Sequence, residues 1–155
     1  MVQMTLREIL EKGIEKEIHS QLLYTDLGRA VKEPAARDAF RELVKQEKGH
    51  QQLLEQYLHG ELKEGALQPQ QVMDYKIAEY FDLPDISAEI KLADVFLLAA
   101  NREKSSHEFY LDLARAHPAG KVKRLLNKLA SQELEHKQRV EFLYTEVAFP
   151  QTDGG

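Results

Sequence analysis

The two halves of this chain match each other at a constant offset of 86 residues, without a gap. The match places a Glu-x-x-His segment of the first half on a second such segment, and it also places serine on serine, tyrosine on tyrosine and aspartate on aspartate. The matched pairs are Glu17 with Glu103, Ser20 with Ser106, Tyr24 with Tyr110, Asp26 with Asp112, Glu47 with Glu133, and His50 with His136. Such a repeat predicts one structural unit that occurs twice, with the two copies packed together.

Four stretches of the chain carry apolar residues at alternating spacings of three and four, which is typical of the buried seam of a helix bundle. Pro34 can open the second helix, and Pro118 with Gly120 separates the third from the fourth. Only 8 Gly and 5 Pro are present, too few for the many turns of a β-sandwich or barrel. We therefore predict an all-α fold, a four-helix bundle of two helical hairpins with helices at residues 5–32, 34–59, 90–117 and 119–147.

A connection of about 29 residues, 61–89, joins the second predicted helix to the third. It is too long for a tight hairpin, but it can run the length of a bundle before a second hairpin begins. A short helix is predicted within it, around Val72–Phe81. We expect one domain at residues 1–148 and a frayed tail at residues 149–155.

Charge and cysteine content exclude several classes of function. The formal net charge is −5 and no basic cluster is interleaved with aromatic residues, so nucleic acid is not an expected partner. The absence of cysteine excludes disulfides, Cys-ligated zinc, iron–sulfur clusters and thiol nucleophiles. No apolar run approaches the roughly 18 residues that span a bilayer, and the N-terminus lacks the apolar core of a signal peptide. We therefore expect a cytoplasmic protein without a membrane partner.

Charged residues stand on the predicted seams where apolar residues belong. In each hairpin two glutamates are equidistant from the turn, about 22 Å away at roughly 1.5 Å per residue, and a histidine follows the second glutamate by three residues. Buried unpaired carboxylates cost several kcal/mol each or must take up protons. Two divalent cations would balance four carboxylates, and oxygen ligands with imidazole suit iron or manganese. The residues of this predicted two-metal site are Glu17, Glu47, His50, Glu103, Glu133 and His136.

This pattern resembles the core ligand motif of the ferritin-like di-iron carboxylate proteins, and among them the rubrerythrin type, over almost the whole chain. The resemblance implies a ferritin-like bundle that holds two Fe ions, with Mn or Zn as possible substitutes. The implied ligand roles are Glu47 and Glu133 as bridges between the metals, and Glu17 with His50 and Glu103 with His136 as terminal ligands.

By the same resemblance, the function would be that of a di-iron oxidoreductase that takes Fe(II) and O2 or H2O2 as substrates, as a ferroxidase or a peroxide-reducing enzyme of oxidative stress. The six ligand residues would then be catalytic through the metals. Rubrerythrins proper carry a Cys-ligated rubredoxin module, which this chain lacks, and an extra glutamate where this chain has Ala100. Peroxide reduction would therefore need an external electron donor protein. About eight residues follow Val147, too few for the short fifth helix of a classical ferritin cage.

Other interpretations of the same residues stay open. A non-catalytic protein that binds or handles iron, manganese or zinc would use the same ligands, and a protein-interaction bundle would carry them as a relic. In a further interpretation, the glutamates and histidines lie on ordinary solvent-exposed helix faces and form no site. Tyr24 and Tyr110 either serve the metals, by hydrogen bonds to groups around the ligands or by carrying an electron, or are core aromatics with satisfied hydroxyl groups. His107 is a further candidate for a ligand or proton relay.

Two pairings outside the predicted site complete the expectations. At i, i+3 spacing, Asp26 is expected to pair with Arg29, and Asp112 with Arg115. A homodimer is expected, with an interface at VFLLAA, residues 95–100, or on the long connection, although the sequence does not separate these residues from core.

Overall fold

The computed structural model describes residues 6–60, 90–115 and 119–149, and four α-helices fill most of these ranges. The predicted all-α fold is confirmed, and the predicted helix ends agree with the observed ones to within two residues. The predicted short helix around Val72–Phe81 and nearly all of the predicted tail lie outside the described residues. No helix in the described ranges is both long and apolar enough to cross a lipid bilayer. The helices are α1 (Leu6–Ala30), α2 (Pro34–Leu58), α3 (Leu92–Arg115) and α4 (Lys121–Ala148).

Proline and glycine mark the helix ends that the sequence indicates. Pro34 occupies the first turn of α2, where its missing N–H removes no helical hydrogen bond. Glu33 precedes it in an extended conformation, and its carbonyl oxygen accepts a hydrogen bond from the Arg37 N–H at 3.0 Å. Gly60 follows α2 with φ 72°, and Gly120 precedes α4 with φ 154°, both conformations that favour glycine.

The helices pair in antiparallel fashion both within and between the hairpins. Three residues, 31–33, join α1 to α2, so these helices form a hairpin, and α3 and α4 form the second. Between the hairpins, Tyr24 contacts Glu103 while Tyr110 contacts Glu17, so α1 and α3 are antiparallel as well. His50 contacts Glu133 while His136 contacts Glu47, so α2 and α4 are antiparallel too. Because α2 and α3 consequently point in the same direction, the end of α2 and the start of α3 lie at opposite ends of the bundle.

Two apolar clusters fill the bundle, one on either side of a polar layer. Each cluster takes residues from all four helices, with Phe40 and Phe96 in the first cluster and Leu54 and Leu126 in the second. Tyr57 of α2 and Leu143 of α4, which continue the spacing of three and four along these helices, are half-buried. The polar layer is therefore separated from solvent by packed apolar side chains along the bundle axis.

The VFLLAA segment of α3 is core rather than a surface for a second copy. All six of its residues, 95–100, are 7% exposed or less, and they belong to the first apolar cluster. The other predicted interface, on the long connection, lies outside the described residues. The large apolar side chains that are exposed on the described helices are Ile18, Leu22, Phe142, Val147 and Phe149.

Two leucines of α1 test the assignment of the buried seam. Leu27 is 1% exposed, whereas Leu22 on the same helix is 61% exposed. We expect Leu27→Ala to lower the free energy of unfolding by about 2–5 kcal/mol, because it removes buried methyl groups and leaves a cavity. Leu22→Ala should change it by less than about 0.5 kcal/mol. Urea unfolding of both variants measures the difference, and equal losses would contradict the assignment.

Candidate metal centre

The polar layer holds the six side chains that the sequence singles out. One glutamate comes from α1 and one from α3, whereas α2 and α4 each contribute a glutamate and the histidine that follows it by one helical turn. Each of the six is 5% exposed or less. They are Glu17, Glu47, His50, Glu103, Glu133 and His136.

The potential donor atoms of this layer fall into two groups that share two residues. Within each group, one donor atom from every residue lies within 4.8 Å of the others. Glu47 and Glu133 belong to both groups, so the carboxylates of α2 and α4 stand between two positions of similar chemistry. The first group is Glu17, Glu47, His50 and Glu133, and the second is Glu47, Glu103, Glu133 and His136.

The two histidines reach across the bundle towards the carboxylates of the other hairpin. Nδ1 of His50 lies 2.9 Å from Oε1 of Glu133, and Nδ1 of His136 lies 2.8 Å from Oε1 of Glu47. Nδ1 of His50 is also 3.5 Å from Oε1 of Glu17, and Nδ1 of His136 is 3.6 Å from Oε1 of Glu103. The imidazole rings stack with centroids 5.5 Å apart at an angle of 10°. Both rings therefore present the same nitrogen to the carboxylates.

Each of the four carboxylates has one oxygen without a hydrogen-bond partner in the part of the chain that the structure describes. A buried acceptor without a donor costs free energy, and buried polar atoms in folded proteins rarely lack a partner. Four such oxygens in one layer, beside two imidazole nitrogens, match the hard oxygen and nitrogen donors that suit iron or manganese. The unpartnered atoms are Oε2 of Glu17, Glu47, Glu103 and Glu133.

Protons are held tightly in this layer of the metal-free chain. Burial, followed by the charges of Glu133 and Glu47, raises the pKa of Glu103 well above its ordinary value. For His50, burial alone would lower the pKa, but hydrogen bonds to the surrounding carboxylates outweigh burial and raise the pKa well above its ordinary value. The pKa of His136 is raised for the same reason, chiefly by Glu47. Bound protons thus offset part of the negative charge that a cation would otherwise balance.

Two tyrosines connect the hairpins at the polar layer. The Tyr24 hydroxyl of α1 donates a hydrogen bond to Oε1 of Glu103 at 2.5 Å, and the Tyr110 hydroxyl of α3 donates to Oε1 of Glu17 at 2.5 Å. Burial, followed by the charge of the glutamate that each one contacts, raises the pKa of both phenols well above the ordinary value. Both hydroxyls therefore keep their protons and act as donors. The predicted hydrogen bond to the site is observed, whereas a role in electron transfer stays a prediction.

His107 and Arg102 bind neighbouring helices rather than the six-residue layer. Nδ1 of His107 lies 2.6 Å from the carbonyl oxygen of Ala130, so this nitrogen is engaged by the backbone of α4. Arg102, which the sequence interpretation missed, donates from Nε to Oγ of Ser20 at 2.8 Å and from an Nη nitrogen to the carbonyl oxygen of Lys16 at 3.0 Å. These bonds connect α3 to its neighbours on both sides and hold the helix that carries Glu103.

The sequence interpretation also missed a charged pair that lies on α4 beside the centre. Lys137 and Glu141 are both buried, with Nζ 3.2 Å from Oε2. The repeat contains a signal for them, because its offset relates them to Gln51 and Glu55, which form a hydrogen bond of 2.9 Å at the same spacing on α2. The pair was hidden because lysine and glutamate four residues apart usually indicate a solvated helix face.

Comparison with known proteins assigns the chain to a family. The family model described as Rubrerythrin matches residues 8–144. A solved structure of a hypothetical protein from Pyrococcus furiosus has the same fold, with a TM-score of 0.67 and 22% sequence identity over 98% of this chain and 96% of the other. No curated protein matches the chain significantly. Because the family match covers most of its length, the chain belongs to the rubrerythrin family.

The stability of the metal-free chain should depend on the proton held by Glu103. Its raised pKa means that the folded chain binds this proton more tightly than the unfolded chain does, so the stabilisation is complete below the ordinary pKa of 4.5 and is lost as the pH rises towards the folded-state pKa. Glu103→Gln keeps the shape of the protonated side chain without the titration. We expect the variant to gain free energy of unfolding relative to wild type as the pH rises from about 5 to 8.

Urea unfolding in the presence of a chelator at several pH values measures this difference. Glu146→Gln, an exposed change on α4, controls for the removal of one carboxylate. A difference between wild type and Glu103→Gln that stays constant with pH would contradict the expected proton.

Proposed function

We propose that this member of the rubrerythrin family is a di-iron oxidoreductase that binds two iron ions in the polar layer and oxidises Fe(II) with O2 or H2O2. The observation that carries the proposal is the set of four buried carboxylates, each with one oxygen that has no partner in the described part of the chain. Their division into two overlapping groups supports two metal positions rather than one. Family membership supports iron as the metal.

The proposed ligands follow from which atoms are already engaged. Oε1 of Glu17 and Oε1 of Glu103 each accept a tyrosine hydrogen bond, whereas Oε2 of each has no partner among the described residues. These two Oε2 atoms are therefore the proposed donors to a metal. Glu47 and Glu133 belong to both groups and are the proposed bridging ligands. The Nδ1 atoms of the two histidines, which contact Glu133 and Glu47 in the metal-free chain, would lose their protons to the solvent and complete the set. Bound iron would supply redox chemistry at this layer by alternating between its ferrous and ferric states.

The residues around the proposed ligands control charge and water. Four carboxylates favour the greater positive charge of ferric iron over that of ferrous iron, which lowers the free energy of oxidation. The tyrosine hydroxyls fix the orientation of the terminal glutamates, because a side chain held by a partner is oriented before a metal arrives. The apolar clusters above and below exclude water from the layer. In the reaction with H2O2, two Fe(II) ions would give up two electrons, and with two protons the peroxide would become two molecules of water.

A cavity between α2 and α4 supplies the proposed route for small substrates. Its volume is about 280 Å³, and its lining includes His136, so it reaches one member of the centre. Gln46 and Glu135 provide oxygen atoms at this cavity, and such atoms suit the entry of a hydrated cation. O2 and H2O2 are smaller than a hydrated cation and would pass through the same opening.

Metal binding and turnover test this proposal separately. Anaerobic titration of the metal-free chain with Fe(II) should give two ions per chain, and O2 or H2O2 should then produce the near-ultraviolet absorption of ferric iron over several turnovers. Glu47→Ala and Glu133→Ala should each lose at least one of the two ions and slow oxidation about 100-fold or more, because each removes a ligand shared by both positions. Glu146→Ala, at an exposed glutamate of α4, should behave like wild type.

The two readouts also separate the alternatives. Two ions bound without turnover would refute the enzyme and favour a protein that stores or delivers metal. No stoichiometric binding of Fe(II), Mn(II) or Zn(II) would refute the centre itself.

The tyrosine hydrogen bonds make a prediction that does not depend on turnover. Tyr24→Phe and Tyr110→Phe each leave a buried carboxylate oxygen without its donor, which should lower the free energy of unfolding by about 1–3 kcal/mol. Each should also weaken the binding of Zn(II), which has no redox activity, by about 10- to 100-fold. Unfolding curves and a competitive chelator titration measure both quantities. Wild-type affinity in both variants would contradict the proposed role of the tyrosines in orienting the ligands.

A further inference from the structure

A cavity of about 450 Å³ lies between α1 and α2, at the end of the hairpin near their connection. Three arginines line it, and all three are exposed to solvent: Arg29, Arg37 and Arg41. Tyr24 and Phe40, which are 0% and 1% exposed, form its floor without offering ring surface to a ligand. The volume falls in the range of small-molecule sites, about 300–1,000 Å³. The cavity therefore presents mainly cationic side chains to a ligand that enters it.

Little of the positive charge at the mouth is neutralised by the chain itself. The expected ion pair between Asp26 and Arg29 is absent from the described structure, although its counterpart between Asp112 and Arg115 is present at 3.3 Å. Arg41 forms a 3.4 Å pair with Asp38, with both side chains more than 70% exposed. Such exposed pairs contribute little free energy, so an incoming anion can replace them.

The third arginine is held by the backbone rather than by an acid. Nε of Arg37 donates to the carbonyl oxygen of Val31 at 2.7 Å, just after the end of α1. This bond fixes the guanidinium group at the connection between the two helices while it keeps its positive charge. In a chain with a net charge of −5, three arginines around one cavity form a local positive field that favours anions.

The floor of the cavity connects it to the metal centre. The rings of Tyr24 and Phe40 have centroids 6.1 Å apart and are tilted by 34°, and both residues are buried beneath the cavity. The hydroxyl of Tyr24 is hydrogen-bonded to Glu103, a proposed metal ligand. The Tyr24 side chain thus lies between the cavity and the centre.

The cavity is a property of the first hairpin and not of the repeat. The offset of 86 residues places Gly28 on Ala114 and Arg41 on Asn127. Phe40 likewise corresponds to a leucine, which is buried in the second apolar cluster together with Ala114. The six residues of the centre are identical in type between the halves, so the divergence is confined to the surroundings. A role specific to the first hairpin accounts for that difference.

We infer that this cavity binds a small anion, with its phosphate or carboxylate group held by Arg29 and Arg41. Guanidinium groups bind such anions through charge-assisted, often bidentate hydrogen bonds. The inference does not depend on the proposed oxidoreductase function, because the cavity and its charges are properties of the chain alone.

Flavin mononucleotide is a suitable probe because it carries a phosphate and reports binding by its fluorescence. The full-length chain, both metal-free and iron-loaded, should bind it saturably. The Arg29→Gln/Arg41→Gln double variant should bind it at least tenfold more weakly, because two charge-assisted hydrogen bonds are lost. The control is Arg115→Gln/Lys121→Gln, which removes the same charge from exposed positions of the second hairpin and should retain wild-type affinity.

Two further comparisons locate the site and identify the group that it recognises. Thr25 lines the cavity and its repeat partner is Leu111, so Thr25→Trp should abolish binding whereas Leu111→Trp should not. Riboflavin, which lacks the phosphate, should bind more weakly and equally to wild type and the arginine double variant. Equal affinity of flavin mononucleotide for wild type and the double variant, or unchanged binding to Thr25→Trp, would overturn the inference, as would the absence of saturable binding to wild type. Thermal unfolding of each variant verifies that it is folded.

Discussion

The structure depends on one electrostatic constraint, which is that four glutamates occupy a single dry layer of the bundle. Their charges cannot all remain unbalanced there, because the desolvation of each carboxylate costs several kcal/mol. In the metal-free chain, the raised pKa values of Glu103, His50 and His136 show that protons supply part of the balance. A pair of divalent cations would supply it more completely. The long helices follow from this constraint, since only a layer far from both bundle ends is covered by apolar side chains on each side.

The tyrosines explain why the two hairpins must pack against each other in one register. Each hairpin brings a phenol that donates to the glutamate of the other, so neither half completes its own carboxylate environment. A shift of either hairpin along the bundle axis would remove both hydrogen bonds at once and leave two buried acceptors unpaired. This reciprocal arrangement is more specific than apolar packing, because hydrophobic contact tolerates small displacements whereas a 2.5 Å hydrogen bond does not.

Much of this architecture can be predicted from the sequence, because helix ends, buried faces and i, i+3 neighbours are all local properties. Glu17 and Glu47 are expected at the same height in the bundle, because they lie equally far from the turn before Pro34. Contacts between the hairpins cannot be found in this way, since their relative orientation is set by packing along the whole bundle. Sequence reasoning therefore missed the buried pair of Lys137 and Glu141, whose burial depends on what surrounds α4. It also assigned Asp26 to Arg29 from spacing alone, although rotamers and neighbours decide whether an exposed pair forms.

The surroundings of the centre break the symmetry that its ligands keep. The cavity between α1 and α2 ends at Tyr24, which is hydrogen-bonded to Glu103, and the cavity between α2 and α4 ends at His136. His136 is a member of the second group of donors, and Glu103, to which Tyr24 is hydrogen-bonded, belongs to the same group. Tyr110, the partner of Tyr24 in the repeat, lines neither of these two cavities. Two positions with the same donor types thus differ in the cavities beside them, because the surroundings diverged between the halves while the six residues of the centre did not.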